Sequence, residues 1–148
     1  MKAVRLYGIL LAGLLLFSCG QKDIVLDVVR HPPNYIKNEG LFGEDIKSME
    51  EKNTFIVETG KIDTTDEVPP LEIALINVQK KTTQLELTAR AIDGNSTIET
   101  YSGSGFVLTI IGETAKKTGT GNYAKAKLTI TKGKQRSDYR VYRKTGYF

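Results

Sequence analysis

Apolar residues recur at every second position along much of the chain, and helical spacing is scarce. Period two marks a strand with one buried face. Ile24 to Val29 is a short apolar run that fits a first strand, and Arg30-His31-Pro32-Pro33-Asn34 follows it. The two prolines there forbid both a helix and a central strand. Between Gly43 and Lys52, Ile46 and Met49 stand three apart among charges, which fits one or two helical turns. Thr54 to Thr59 reads as a strand through Phe55, Ile56 and Val57, and Gly60 to Pro70 as a polar loop. After Pro70 the pattern strengthens. Leu71, Ile73 and Leu75 alternate with Glu72 and Ala74, and Ile76 and Val78 continue the run. Leu85, Leu87, Ala89 and Ala91 alternate with Glu86, Thr88 and Arg90. Asp93-Gly94-Asn95 is a turn signal, because glycine and asparagine tolerate positive φ. Ser96 to Tyr101 returns from it. Phe106 to Ile111, apolar on both faces, reads as central to a sheet.

The last two strands permit a register argument. Ala124, Ala126, Leu128 and Ile130 share one face, and Tyr123, Lys125, Lys127 and Thr129 share the other. With Lys132-Gly133 as the turn, Ala126 lies opposite Tyr139, Ala124 opposite Val141, Lys127 opposite Asp138 and Lys125 beside Arg140. An odd loop would carry Arg136, Asp138 and Arg140 to the buried side, so burial selects an even one. A four-residue loop has the same parity and stays open. The whole pattern predicts an all-β domain over residues 34–148. Its form is a small antiparallel β-sandwich or partly closed β-barrel of about six to eight strands, with at most one short helix.

Composition adds location. The chain has 148 residues, one Cys, one His and a net charge of +4. A single cysteine excludes an internal disulfide and every multi-cysteine zinc site. At the amino terminus, Lys2 and Arg5 precede a 12-residue apolar stretch, Leu6 to Phe17. This suits a signal-peptide core and is too short to span a bilayer. It ends in Leu16-Phe17-Ser18-Cys19-Gly20, which resembles the lipobox of bacterial lipoproteins. The resemblance implies removal of residues 1–18, acylation of Cys19 and a membrane tether over 19–33, with Gly20 favouring the outer membrane. Charge is uneven: residues 22–76 hold 6 basic and 12 acidic side chains, and residues 77–148 hold 13 and 5.

Candidate chemistry is sparse. His31 has no second His or Cys to share a metal, and general-base work needs a partner. Gly103-Ser104-Gly105 is one residue short of a nucleophile elbow. Asp63-Thr64-Thr65-Asp66-Glu67 lacks the ligand spacing and turn glycine of a calcium loop. Glu44, Asp45, Glu50 and Glu51 fit the wet face of a short helix. These features predict neither an enzyme nor a bound cofactor.

Two segments point to binding. Residues 113–148 hold 10 Lys and Arg against Glu113 and Asp138, with tyrosines interleaved. Export removes nucleic acid as a partner for them. An acidic envelope protein or an anionic envelope polymer remains, met by Lys125, Lys127, Arg136, Arg140 and Tyr142. The other segment is Tyr101-Ser102-Gly103-Ser104-Gly105-Phe106. With the later Lys132-Gly133, it resembles the paired loops of the small β-barrel lipoproteins that inhibit c-type lysozyme. That resemblance implies an inhibitor or immunity protein against a peptidoglycan-degrading enzyme, acting through Ser104 and Lys132. In this chain the two segments lie further apart in sequence, and the family's disulfide cysteines are missing. A barrel lined by strands such as Phe106 to Ile111 is also a form that carries an apolar ligand.

Overall fold

A computed structural model describes residues 23–29, 36–65, 67–113 and 123–144. The chain forms a closed antiparallel barrel of eight strands in sequential order, with one short helix. The strands are β1 (Ile36–Gly43), β2 (Val57–Ile62), β3 (Leu71–Val78), β4 (Lys81–Asp93), β5 (Ser96–Gly103), β6 (Phe106–Glu113), β7 (Tyr123–Lys132) and β8 (Gln135–Lys144). Helix α1 (Ile46–Lys52) joins β1 to β2. β1 pairs with β8 and closes the circle, so no strand of the barrel is left as a sheet edge along its whole length.

The even residues of β6 and β7 and the odd residues of β8 face inward. Leu108, Leu128 and Ile130 are wholly buried, and Tyr139 and Val141 nearly so. They join Phe42, Val57, Ile76 and Leu85 in one core. An eight-stranded barrel is just wide enough for side chains to fill, and these residues fill it. Val107 and Ile111 are 39% exposed on the outer wall. β6 is therefore apolar on both faces without being covered on both, against the sequence expectation.

Strand β1 escaped the sequence reading, because Ile-Lys-Asn-Glu-Gly-Leu-Phe-Gly carries little alternation and two glycines. A bulge between Asn38 and Gly40 breaks its period. A second bulge between Leu87 and Ala89 shifts the phase of β4. Ala89 and Ala91 consequently lie exposed, where uninterrupted alternation predicted burial. Helix α1 begins at Asp45, whose carboxylate accepts bonds from the Ser48 N–H at 2.9 Å and the Ser48 hydroxyl at 2.8 Å. Those bonds hold the Asp45 carboxyl below its ordinary range. Met49, wholly buried, packs against Gly43: a Cβ there would come within 2.5 Å of the Met49 side chain. Since Gly43 follows inward-facing Phe42, α1 lies on the outer wall.

Residues 23–29 make no strand, only one isolated bridge between Asp27 and Asn77. They form a strap that belongs to the domain rather than to a loose tether. Ile24 and Leu26 enter the barrel core. The Ile24 N–H donates to Ser137 Oγ at 2.8 Å, and the Leu26 N–H donates to the Tyr139 hydroxyl at 2.9 Å. That hydroxyl in turn donates to the Ile24 carbonyl at 2.7 Å. The strap then crosses the rim, where the Asp27 N–H donates to the Asn77 carbonyl and Asn77 Nδ2 to the Val28 carbonyl. Finally Val29 packs on Ile73 and Leu75 of β3, residues of the outer wall.

Candidate functional site

The hairpin β7–β8 carries a cationic outer face. Its turn is Gly133-Lys134, with Lys132 paired to Gln135. Glycine takes φ +59 as the first turn residue. This is the position a type II′ turn reserves for it, and it moves the turn one residue beyond Lys132-Gly133. Parity is as expected, so Arg136, Asp138 and Arg140 stay on the outer face, but each cross-strand partner shifts by two. Ala126 lies opposite Val141, Leu128 opposite Tyr139, and Thr129 opposite Asp138. Lys127 consequently faces Arg140, not Asp138, and Lys125 faces Tyr142.

Lys125, Lys127, Arg136 and Arg140 are all exposed on this wall, and Tyr142 beside them is half-buried. Asp138 is the carboxylate among them. Its Oδ1 accepts from the Thr129 hydroxyl at 2.6 Å and from Arg136 at 3.4 Å, with Lys127 Nζ 4.0 Å away. The Thr129 bond, with Arg136 second, holds the Asp138 carboxyl below its ordinary range. Lys125 and Arg140 make no ion pair among the described residues.

Ser104 and Lys132 lie together at the end of the barrel where the β3–β4, β5–β6 and β7–β8 turns gather. Both line a cleft of about 640 Å³, with Phe106, Lys81, Gln135 and the strap residue Ile24. Lys132 Nζ sits 4.3 Å from the centre of the Phe106 ring. Ser104 adopts φ +51 and Gly105 φ +80, the left-handed pair of a type I′ turn. Gln79 and Lys80 take the same conformation without a glycine.

The opposite end is closed by paired charges. Arg90 Nη2 donates to Glu72 at 2.6 Å and Glu99 at 2.8 Å. Lys61 lies 2.7 Å from Glu39 and 3.7 Å from Glu72. Burial first, and the Glu99 charge second, push the Tyr101 phenol upward. With every member paired, this network reads as structure. Asp63 of the acidic loop forms an ion pair with Lys37.

Two features escaped sequence reasoning. The strap contacts, made through Ser137 and Tyr139, join residues more than 110 positions apart. Glu58 is 3% exposed on the outer wall between Leu41 and Leu75, and its Oε2 has no hydrogen-bond partner. Burial pushes its pKa up to about 7. A glutamate directly after the apolar run Phe55-Ile56-Val57 was the available signal for it. Cys19, His31 and Asp66 lie outside the described residues. Among the described residues, no group of three or more His, Cys, Asp or Glu side chains converges as a metal site would. Among known proteins, no family model, no curated sequence and no solved structure matches this chain.

Proposed function

We propose that the chain is a lipid-anchored, non-catalytic binding or assembly module of the cell envelope, held to the membrane by acylated Cys19. It presents the outer wall of β7–β8 to an acidic envelope protein or an anionic envelope polymer. One observation carries the reading: Lys127 and Arg140 lie directly opposite each other, with Lys125 and Arg136 on the same outer face and Asp138 as the carboxylate among the four. Like charges directly opposite each other across a strand pair are destabilising. One carboxylate, Asp138, serves Lys127 and Arg136 and leaves a surplus of positive charge that an anionic partner would meet. Replacing Lys125, Lys127, Arg136 and Arg140 by glutamate is expected to abolish retention on an immobilised polyanion and cross-linking to neighbours in the native envelope, with the thermal melt of the domain retained. Unchanged retention and cross-linking overturn the assignment of this wall.

A second reading has its own observation. Ser104 and Lys132 line one cleft although they come from different hairpins. Paired loops of this kind suit an inhibitor that enters the groove of a peptidoglycan-degrading enzyme. Titration of c-type lysozyme with the soluble domain tests it, and full lytic activity at micromolar excess removes that target.

A further inference from the structure

The strap fixes where the amino-terminal chain leaves the barrel. Ile24 and Leu26 are bonded to Ser137 and Tyr139 inside the hairpin end, so the preceding residues depart from that end. Three residues separate Cys19 from Asp23 in the sequence. Four extended steps reach about 14 Å at most. An acyl anchor at Cys19 would therefore hold the hairpin end close against the bilayer, whatever path those residues take.

Two of the turns at this end are basic. Lys80 and Lys81 lie at the β3–β4 turn, Lys132 and Lys134 at the β7–β8 turn, and all four are exposed. The carboxylates of the strap beside them are Asp23 and Asp27. Asp27 is engaged, its Oδ2 accepting the Lys80 backbone N–H at 3.1 Å. Val25, 58% exposed, projects an apolar side chain from the strap at the same end. The acidic residues Glu44, Asp45, Glu50 and Glu51 belong to the segment of α1, which Met49 and Gly43 hold to the outer wall of β1. That segment joins β1 to β2 at the same end, where Lys47 and Lys52 stand among its carboxylates, and none of its residues lines the cleft.

We infer that the barrel docks mouth-down on an anionic phospholipid surface, with Lys80, Lys81, Lys132 and Lys134 against the headgroups and the β7–β8 wall turned sideways. The inference rests on the anchoring reading above. It gives the anchor an orientation: a short leash and four exposed lysines around the cleft act at the same end, and juxtamembrane lysines are drawn to anionic lipid within a Debye length. Docking in this pose buries Ser104 and Lys132 against the membrane, so it excludes their simultaneous entry into an enzyme cleft.

The test uses the processed, full-length mature chain in vesicles of phosphatidylcholine and phosphatidylglycerol carrying a lipid-borne fluorescence quencher. Once Cys19 is acylated, an engineered thiol is the single reactive one. Lys134→Cys places a fluorophore at the mouth, and Asn95→Cys places one at the β4–β5 turn on the opposite end. Quenching is expected to be several-fold stronger at 134 than at 95. It should fall toward the level seen at 95 when Lys80, Lys81 and Lys132 become glutamate, or when phosphatidylglycerol is omitted. Equal quenching at both ends, or indifference to charge reversal, overturns the docked pose while leaving the anchor intact. Mass spectrometry of the mature chain separates the two failures. An unacylated Cys19 overturns the anchoring reading and the docking with it.

Discussion

On the outer wall of β2–β3, Ile73 and Leu75 are buried beneath Val29 of the strap, whereas on the outer wall of β7–β8 four cations stand in solvent. Both walls belong to antiparallel ribbons of one barrel, and both point away from the same core. The difference is what the chain lays over them. A barrel strand has one face filled by necessity, and the other is wet unless a further segment covers it. Where the outer positions are apolar, as in β3, the protein's own strap has closed over them. Where they are charged and opposed like to like, as in β7–β8, no described segment of the chain does so. A covered wall contributes to stability, and a bare cationic one is available to a partner.

The sharpest break of this comparison is Ile73→Ala. Ile73 is wholly buried on an outward-facing position, so truncation is expected to cost about 2–4 kcal/mol in denaturant unfolding. Thr131→Ala on the other outer wall should stay within about 0.5 kcal/mol. Equal costs would mean that the strap adds nothing to the packing of β3.

A smaller effect of opposite sign is expected from Glu58→Gln. The folded pKa of about 7 lies above the ordinary 4.5, so folding takes up a proton between those values. Stability owed to this group is therefore greatest in acid and declines as pH rises through that window. At pH 8 the glutamine variant should be more stable by about 1–2 kcal/mol, after allowance for solvent screening. Near pH 4 the advantage should vanish. Parallel stability curves for the two proteins would show that Glu58 ionises freely.

The smallest effect belongs to the bare wall. Lys127→Thr removes one member of the opposed Lys127–Arg140 pair and is expected to stabilise the domain by about 0.2–1 kcal/mol. It should weaken retention on a polyanion at the same time. Destabilisation would indicate that the ion pair of Lys127 with Asp138 outweighs its repulsion from Arg140.

Much of the fold was legible before the coordinates. Alternation in 123–130 and in 139–141 separated inner from outer residues, because a one-residue slip would bury charge. Asp93-Gly94-Asn95 marked a real turn, with Gly94 at φ +58. The β7–β8 turn was one residue off, since glycine at 133 serves either as first or second turn residue in sequence and only the strand lengths choose. That the cationic side chains of the candidate wall share the outer face was legible too. Their opposition across the hairpin was not, because a shift of two residues leaves every face unchanged. Strand β1 and the phase change in β4 stayed hidden, for a bulge inserts a residue without a composition of its own.

By itself the sequence determined the period and the outward charge of the last hairpin, since each is local along the chain. Closure of β1 on β8, the strap threaded between Ser137 and Tyr139, and the meeting of Ser104 with Lys132 were decided by tertiary structure alone. Those contacts join residues far apart in sequence, and their partners are chosen by which backbone and side-chain groups would otherwise be buried without a bond.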